Sequence, residues 1–303
     1  MRRLILMVLT LVLFCGLFAE STVRNYVFAA RDTCNLSMDV YTPVNVHSNT
    51  ACLVYVFGGG FKMGSRTHNE KFFHAMADSG YVVVAIDYRL GMKGVKQNGM
   101  ERIKSLHKAI ELAVEDLFSA TDYLLKHAQE LKIDTEKIIL SGSSAGAITV
   151  LHADNELCNR TKPASGLPEN FHYAGVISFA GGILSFNGTP GYKNTPAPTM
   201  LFHGINDKLV NYDKVLISNK GFYGSNGLAA LFEKQNYPYY IYRYRDMGHE
   251  ISSIPTYYNI SDICGFIRDY VFDHQKLKKD ITVKNPELKP AFYGKWKLKD
   301  IYK

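Results

Sequence analysis

The stretch IILSGSSAGAI (residues 138–148) places Ser141, Ser143 and Ser144 within four positions. The β-branched run KIILSG leads into it and the helical stretch AGAITVLHA follows, so the serines sit at a strand-to-helix junction. Only one frame has a glycine two residues either side of a serine: Gly142, Ser143, Ser144, Ala145, Gly146. That frame selects Ser144. A turn this tight forces its central residue into a strained conformation and lifts the hydroxyl above the sheet. Any side chain at the two flanking positions would collide with the neighbouring strand or helix. Ser143 then points elsewhere, and Ser141 is still in the strand. The competing reading is a Gly-Ser turn with no chemistry.

Working outward, short β-branched runs alternate with helical patterns over most of the chain, which predicts an α/β fold with a mostly parallel sheet covered by helices. TVRNYVFAA and LSMDVYT read as a leading antiparallel pair. ACLVYVF, YVVVAIDY, KIILSG, AGVISFA, PTMLFHG and YYIYRYR read as buried strands. Helices are expected over Asn69 to Ser79, Ile103 to Glu130 and Tyr257 to His274. The turn-rich segments 154–172, 184–198 and 221–227 follow strands, where open α/β sheets keep their ligands, and are expected to shape a cleft.

Three more stretches carry chemistry. In YVFGGGFKMGS (55–65) a strand runs into Gly58, Gly59 and Gly60. Ordering three glycines costs chain entropy, so they mark a close backbone approach. Amides aimed at a developing oxyanion are one such use, and Gly59, Gly60 and the amide of Ala145 are assigned to it. In LFHGINDKLV (201–210), Asp207 sits where a loop carboxylate could reach an imidazole. In RDMGHE (245–250), His249 follows the tyrosine-rich last strand. The chain order Ser144, Asp207, His249 differs from both other serine-hydrolase orders. Asp246 as the acid would have to fold back sharply, Glu250 points away from its neighbour His249, and His203 and His152 read as structural.

On these motifs residues 22 to 274 resemble the α/β-hydrolases, and within them the secreted carboxylesterases. Those enzymes carry an HGGG-type loop, a D-Y-R element (Asp87, Tyr88, Arg89), a G-x-S-x-G elbow, an H-G-x-x-D loop and a terminal G-H. The resemblance implies a Ser144–His249–Asp207 triad that cleaves esters through an acyl-enzyme without a cofactor, and a bracing role for the D-Y-R element. One departure is plain: the histidine usual at the head of the glycine loop is Phe57. That departure is similar to the acetylxylan and feruloyl esterase-like branch, whose glycine loops vary there, and implies an acetyl or feruloyl ester on plant polysaccharide as substrate. A serine peptidase of related fold would use the same triad, but such enzymes add a propeller or large cap for which this chain has no room. A non-enzymatic binding module on the same scaffold tends to lose the nucleophile or the histidine.

The ends complete the organisation. Arg2 and Arg3, an apolar run from Leu4 to Phe18 and then Ala19 read as a signal peptide over residues 1–19, so export is expected, periplasmic or extracellular. The run is short of a membrane span. The alternative, a lipid anchor at Cys15, is poorly served by the bulky Phe14 before it. Residues 20–274 form the hydrolase domain and 275–303 a lysine-rich extension. The formal charge of +7 lies at the two ends: nine lysines from Lys276 to Lys303 face three acids, and Arg2 and Arg3 add two more, leaving the body at about −1. No nucleic-acid face is implied. Cys34, Cys52, Cys158 and Cys264 permit three disulfide pairings, or none if the thiols are buried. No Cys/His metal spacing, Walker sequence or G-x-G-x-x-G context occurs, so no metal or nucleotide cofactor is expected. The expected partner is a small-molecule or glycan-linked ester.

Overall fold

The computed structural model describes residues 21–32, 34–217, 219–285 and 287–288. The expected signal segment with Cys15 lies outside the described residues, as does Trp296.

The strands are β1 (Thr22–Arg31), β2 (Cys34–Thr42), β3 (Thr50–Val56), β4 (Val82–Ile86), β5 (Ile133–Ser143), β6 (Gly175–Phe179), β7 (Gly182–Ser185), β8 (Thr199–Gly204), β9 (Lys214–Ile217), β10 (Lys220–Gly224), β11 (Tyr239–Tyr244) and β12 (Lys278–Val283). The helices are α1 (Glu70–Asp78), α2 (Gly99–Lys126), α3 (Ala128–Leu131), α4 (Ala145–Asn159), α5 (Ser225–Gln235), α6 (Pro255–Tyr258) and α7 (Ile260–Phe266).

Nine strands form one sheet in the order β1-β2-β4-β3-β5-β6-β8-β11-β12. The first three pair antiparallel and all later neighbours pair parallel. This is the α/β-hydrolase fold. Every residue of β3, β4, β6 and β8 is buried, so successive side chains on opposite faces are both covered. A strand covered on both faces reads as a continuous apolar run, which is why these were legible. β1, at the sheet edge, is mostly exposed.

Several features depart from expectation. β7, β10 and β9 form a small antiparallel sheet of their own, so the turn-rich segments 184–198 and 221–227, expected to shape a cleft, are partly strand, and 225–227 opens α5. The closing helix expected from Tyr257 to His274 is broken into α6, α7 and a π turn at Ile267–Phe272. The lysine-rich segment expected as a separate extension from 275 contains β12, which pairs with β11 over Tyr239–Tyr244. Its lysines are tolerated because the strand is an edge and they meet acids: Lys278 binds Glu233, Lys279 binds Asp269, and Asp280 receives Arg243. All four described cysteines are free thiols, Cys52 and Cys158 buried. Among the described residues no helix is long and apolar enough to cross a membrane.

Candidate active site

The three serines of the opening stretch separate completely. Ser141 donates to the Val54 carbonyl inside the sheet at 3.2 Å. Ser143 donates to the Ser252 carbonyl at 2.7 Å. Ser144, between the end of β5 and the start of α4, has φ 52° and ψ −114°, a conformation that non-glycine residues rarely adopt. Its amide donates to the Phe179 carbonyl at 2.8 Å, and its carbonyl accepts from Ile148 at 2.9 Å, which pins the turn. The flanking glycines are required by space. A methyl group on Gly146 would stand 1.9 Å from the Val56 carbonyl oxygen, and one on Gly142 would stand 2.4 Å from the Gly146 carbonyl oxygen.

The other two predicted residues are brought to this turn. Ser144 Oγ lies 2.8 Å from His249 Nε2, and His249 Nδ1 lies 2.7 Å from Asp207 Oδ2. The loops after β8 and β11 are fastened together: Ile205 donates to the Tyr244 carbonyl and Asn206 to the Met247 carbonyl. A side chain on Gly204 would strike the Gly248 carbonyl at 2.2 Å, so the two strand ends close on each other only because that position has none. His249 opens a short 3₁₀ turn, His249–Ser252, whose last carbonyl is the one Ser143 holds. Ser143, next to Ser144, thereby anchors the His249 loop.

Asp207 is buried. Its Oδ1 accepts from the amides of Leu209 and Val210 at 2.9 and 3.0 Å. Burial pushes the carboxyl up, but hydrogen bonds from His203 and His249 outweigh it and hold the group well below the usual carboxylate range. Asp246 and Glu250 do not take this place. Asp246 lies in the turn with φ 64°, and Glu250 accepts from the Gly248 amide at 2.8 Å.

Gly58 packs against Ser144: a methyl group there would stand 3.2 Å from Ser144 Cβ and 3.0 Å from the Ser143 carbonyl. Gly59 (φ 125°) and Gly60 (φ 62°) carry the loop past it. The Gly59 carbonyl accepts from Lys62 and Met63, and among the described residues no backbone carbonyl takes the amides of Gly59 or Gly60. Ala145 is the first residue of α4, where an amide has no acceptor within the helix and the helix dipole favours negative charge.

The D-Y-R element braces this loop from below. Tyr88 Oη donates to the Phe57 carbonyl, Asp87 accepts from Arg66 and from the Ser37 amide, and Arg89 binds the fully buried Asp116. His152 is structural: its Nε2 accepts from the Leu184 amide at 3.0 Å, and burial, with His107 adding, pushes its pKa down to about 3. Sequence reasoning also set His203 aside as structural, yet it lies 3.2 Å from Asp207 Oδ2. The only signal for it is the four-residue interval from His203 at the end of β8 to Asp207 in the loop that follows. Among the described residues no group of three or more Cys, His, Asp or Glu side chains is placed to hold a metal.

Comparison with known proteins agrees with this frame. A family model described as BD-FAE matches residues 38–183, which contain the glycine loop and the Ser144 turn and end before Asp207 and His249. Over 105 residues the chain is 30% identical to an acetyl esterase of Salmonella paratyphi B, a stretch covering 34% of this chain and 28% of that protein. Over 100 residues it is 29% identical to Lipase 2 of a Moraxella species, covering 33% and 20%. The matched region thus spans under a third of either relative. Esterase 2 of Thermogutta terrifontis, phosphonylated by cyclosarin, superposes with a TM-score of 0.62 at 20% identity, covering 82% of this chain and 95% of that one. The butyrate-bound form of the same esterase superposes at 0.61, covering 84% and 95%. At that identity the likeness speaks to the fold.

Proposed function

We propose that this chain, an α/β-hydrolase with a BD-FAE domain over residues 38–183, is a serine esterase that cleaves carboxylic esters through an acyl-enzyme. One observation carries the reading: the unbroken hydrogen-bond chain from Ser144 Oγ through His249 to Asp207. His249 Nε2 takes the Ser144 proton as Oγ attacks the carbonyl carbon. The amides of Gly59, Gly60 and Ala145 hold the oxyanion of the tetrahedral intermediate. Collapse expels the alcohol, which leaves with the proton from His249. Water then enters, gives its proton to His249 and attacks the acyl group. The acid departs, the proton returns to Oγ and the serine is regenerated. Asp207 stays ionised throughout, fixing the imidazole tautomer and steadying its positive form.

The substrate reading is an acetyl or feruloyl ester on plant polysaccharide, met by an exported enzyme. The BD-FAE match and the acetyl esterase relatives support it, and the expected signal segment supports export. A series of p-nitrophenyl esters of rising acyl length, run beside acetylated xylan and methyl ferulate, tests the acyl preference.

Ser144→Ala tests the core of the proposal. It abolishes hydrolysis of p-nitrophenyl acetate and labelling by a fluorophosphonate probe while the fold is kept. Turnover retained in this variant refutes it.

A further inference from the structure

We propose that His203 is a positioning residue of the same site, a second imidazole that donates to the triad acid and keeps it ionised and aligned with His249. This rests on the esterase reading and extends it to a residue outside the triad.

The geometry fixes the protons. His203 and Ser225 are fully buried. His203 Nε2 donates to the Val210 carbonyl at 2.9 Å and lies 3.2 Å from Asp207 Oδ2, so the ring must carry its proton there and the one N–H is shared between the two oxygens. On the other side Nδ1 lies 2.7 Å from Ser225 Oγ. With Nε2 protonated and the ring neutral, Nδ1 accepts, and the Ser225 hydroxyl donates. The two oxygens at Nε2 therefore set the tautomer that aims an N–H at them, and Ser225, at the start of α5, serves the other ring nitrogen.

The other charged groups packed near the ring are already engaged. Arg243 is the register neighbour of His203 on β11, but its guanidinium goes to Tyr212, Asn226 and Asp280. Tyr212 meets the His203 ring edge-on, with centroids 5.6 Å apart.

The consequence is for Asp207. Its Oδ1 is filled by two amides and its Oδ2 by two imidazoles, so protonating it would displace a donor. When His249 becomes positive during acylation, the shared proton stays on the ring. The His203 N–H also shares the Oδ2 charge with His249. A packing residue with no polar role would do neither.

Three readouts test this in the full-length protein. In ¹⁵N-labelled wild type, His203 holds its proton on Nε2 through the neutral range; a proton on Nδ1 instead overturns the proposal and needs no variant to fold. His203→Leu lowers kcat for p-nitrophenyl acetate by roughly 10- to 100-fold, the size of loss that follows removal of a residue orienting a metal-bound histidine, with KM little changed. The acid limb of its kcat/KM profile moves to higher pH, because His249 no longer shares the carboxylate. His203→Gln, which retains an N–H donor near the Nε2 position, recovers most of kcat and leaves the limb in place. A His203→Leu enzyme with wild-type kcat and an unmoved limb overturns the proposal, as does a Gln variant no better than Leu. A wild-type protein without ester turnover sinks the esterase reading instead, and the tautomer measurement still stands apart from it.

Discussion

Tyr88 Oη donates to the main-chain carbonyl of Phe57 at 3.0 Å while its ring stacks on the Phe57 side chain, centroids 4.4 Å apart. Phe57 stands where the resemblance calls for a histidine whose hydrogen bonds brace the glycine loop. A phenylalanine has no such bonds to give, and Tyr88 supplies both the stack and the hydrogen bond from the neighbouring strand end. The loop is therefore held through its carbonyl rather than through the side chain at its head.

Tyr88→Phe keeps the stack and removes the bond, leaving a buried carbonyl without its donor. That loss costs about 1–3 kcal/mol of stability, and the freed loop no longer holds the Gly59 and Gly60 amides in line. We expect kcat for a short-chain ester to fall about tenfold, equivalent to ~1.4 kcal/mol of barrier, with KM nearly unchanged. Kinetics at saturating substrate check it. Wild-type kcat in this variant would mean that the stack alone braces the loop.

What could be read from the sequence follows from how local its cause is. The Ser144 turn is written in five residues, with Gly142 clearing the Gly146 carbonyl inside the motif and Gly146 clearing the end of β3 beside it, so the motif and the geometry coincide. The buried strands β3, β4, β6 and β8 announce themselves because both faces must be apolar. The β7-β10-β9 sheet is made of strands of four or five residues; β9 and β10 pair as a local hairpin, but β7 joins β10 from more than thirty residues away, and no short pattern encodes that. α5 was hidden because it opens with Ser225, Asn226 and Gly227, which read as a turn. The contact between His203 and Asp207 depends on how one loop closes over the end of β8.

The expected domain boundary at 274 falls just before β12, and its removal is a direct test of where the domain ends. A chain ending at His274 loses the strand paired along Tyr239–Tyr244 and, with it, the Arg243–Asp280 ion pair. Surface ion pairs contribute little singly, so the cost comes chiefly from the unpaired edge of β11, which also becomes a site for aggregation. We expect Tm to drop by roughly 5 °C or more, since 1 kcal/mol moves Tm by about 2–4 °C at this chain size. Scanning fluorimetry with light scattering measures both effects. An unchanged Tm without aggregation would place β12 outside the stable unit.

Asp154, outside the site, gives the fold a pH dependence of its own. It is buried in α4, its Oδ1 lies 3.4 Å from the Ala197 amide, and burial pushes its pKa up to about 7. Between its ordinary value of 3.8 and about 7 the folded protein keeps the proton while the unfolded chain gives it up. The Asp154 contribution to folding stability is therefore full below about pH 4, falls as pH rises and is flat again above about 7. At about 1.4 kcal/mol per pKa unit the total is of the order of a few kcal/mol. Asp154→Asn keeps the acceptor for Ala197 and cannot ionise, so its Tm relative to wild type rises from pH 4 to pH 7 and then levels. His152, whose buried ring loses stability in the opposite direction as pH falls below 6.5, is common to both proteins and cancels in the difference. Melting curves of the pair across pH 4.5 to 8 check the slope, and a constant difference over that range would mean that Asp154 ionises in the fold as it does in water.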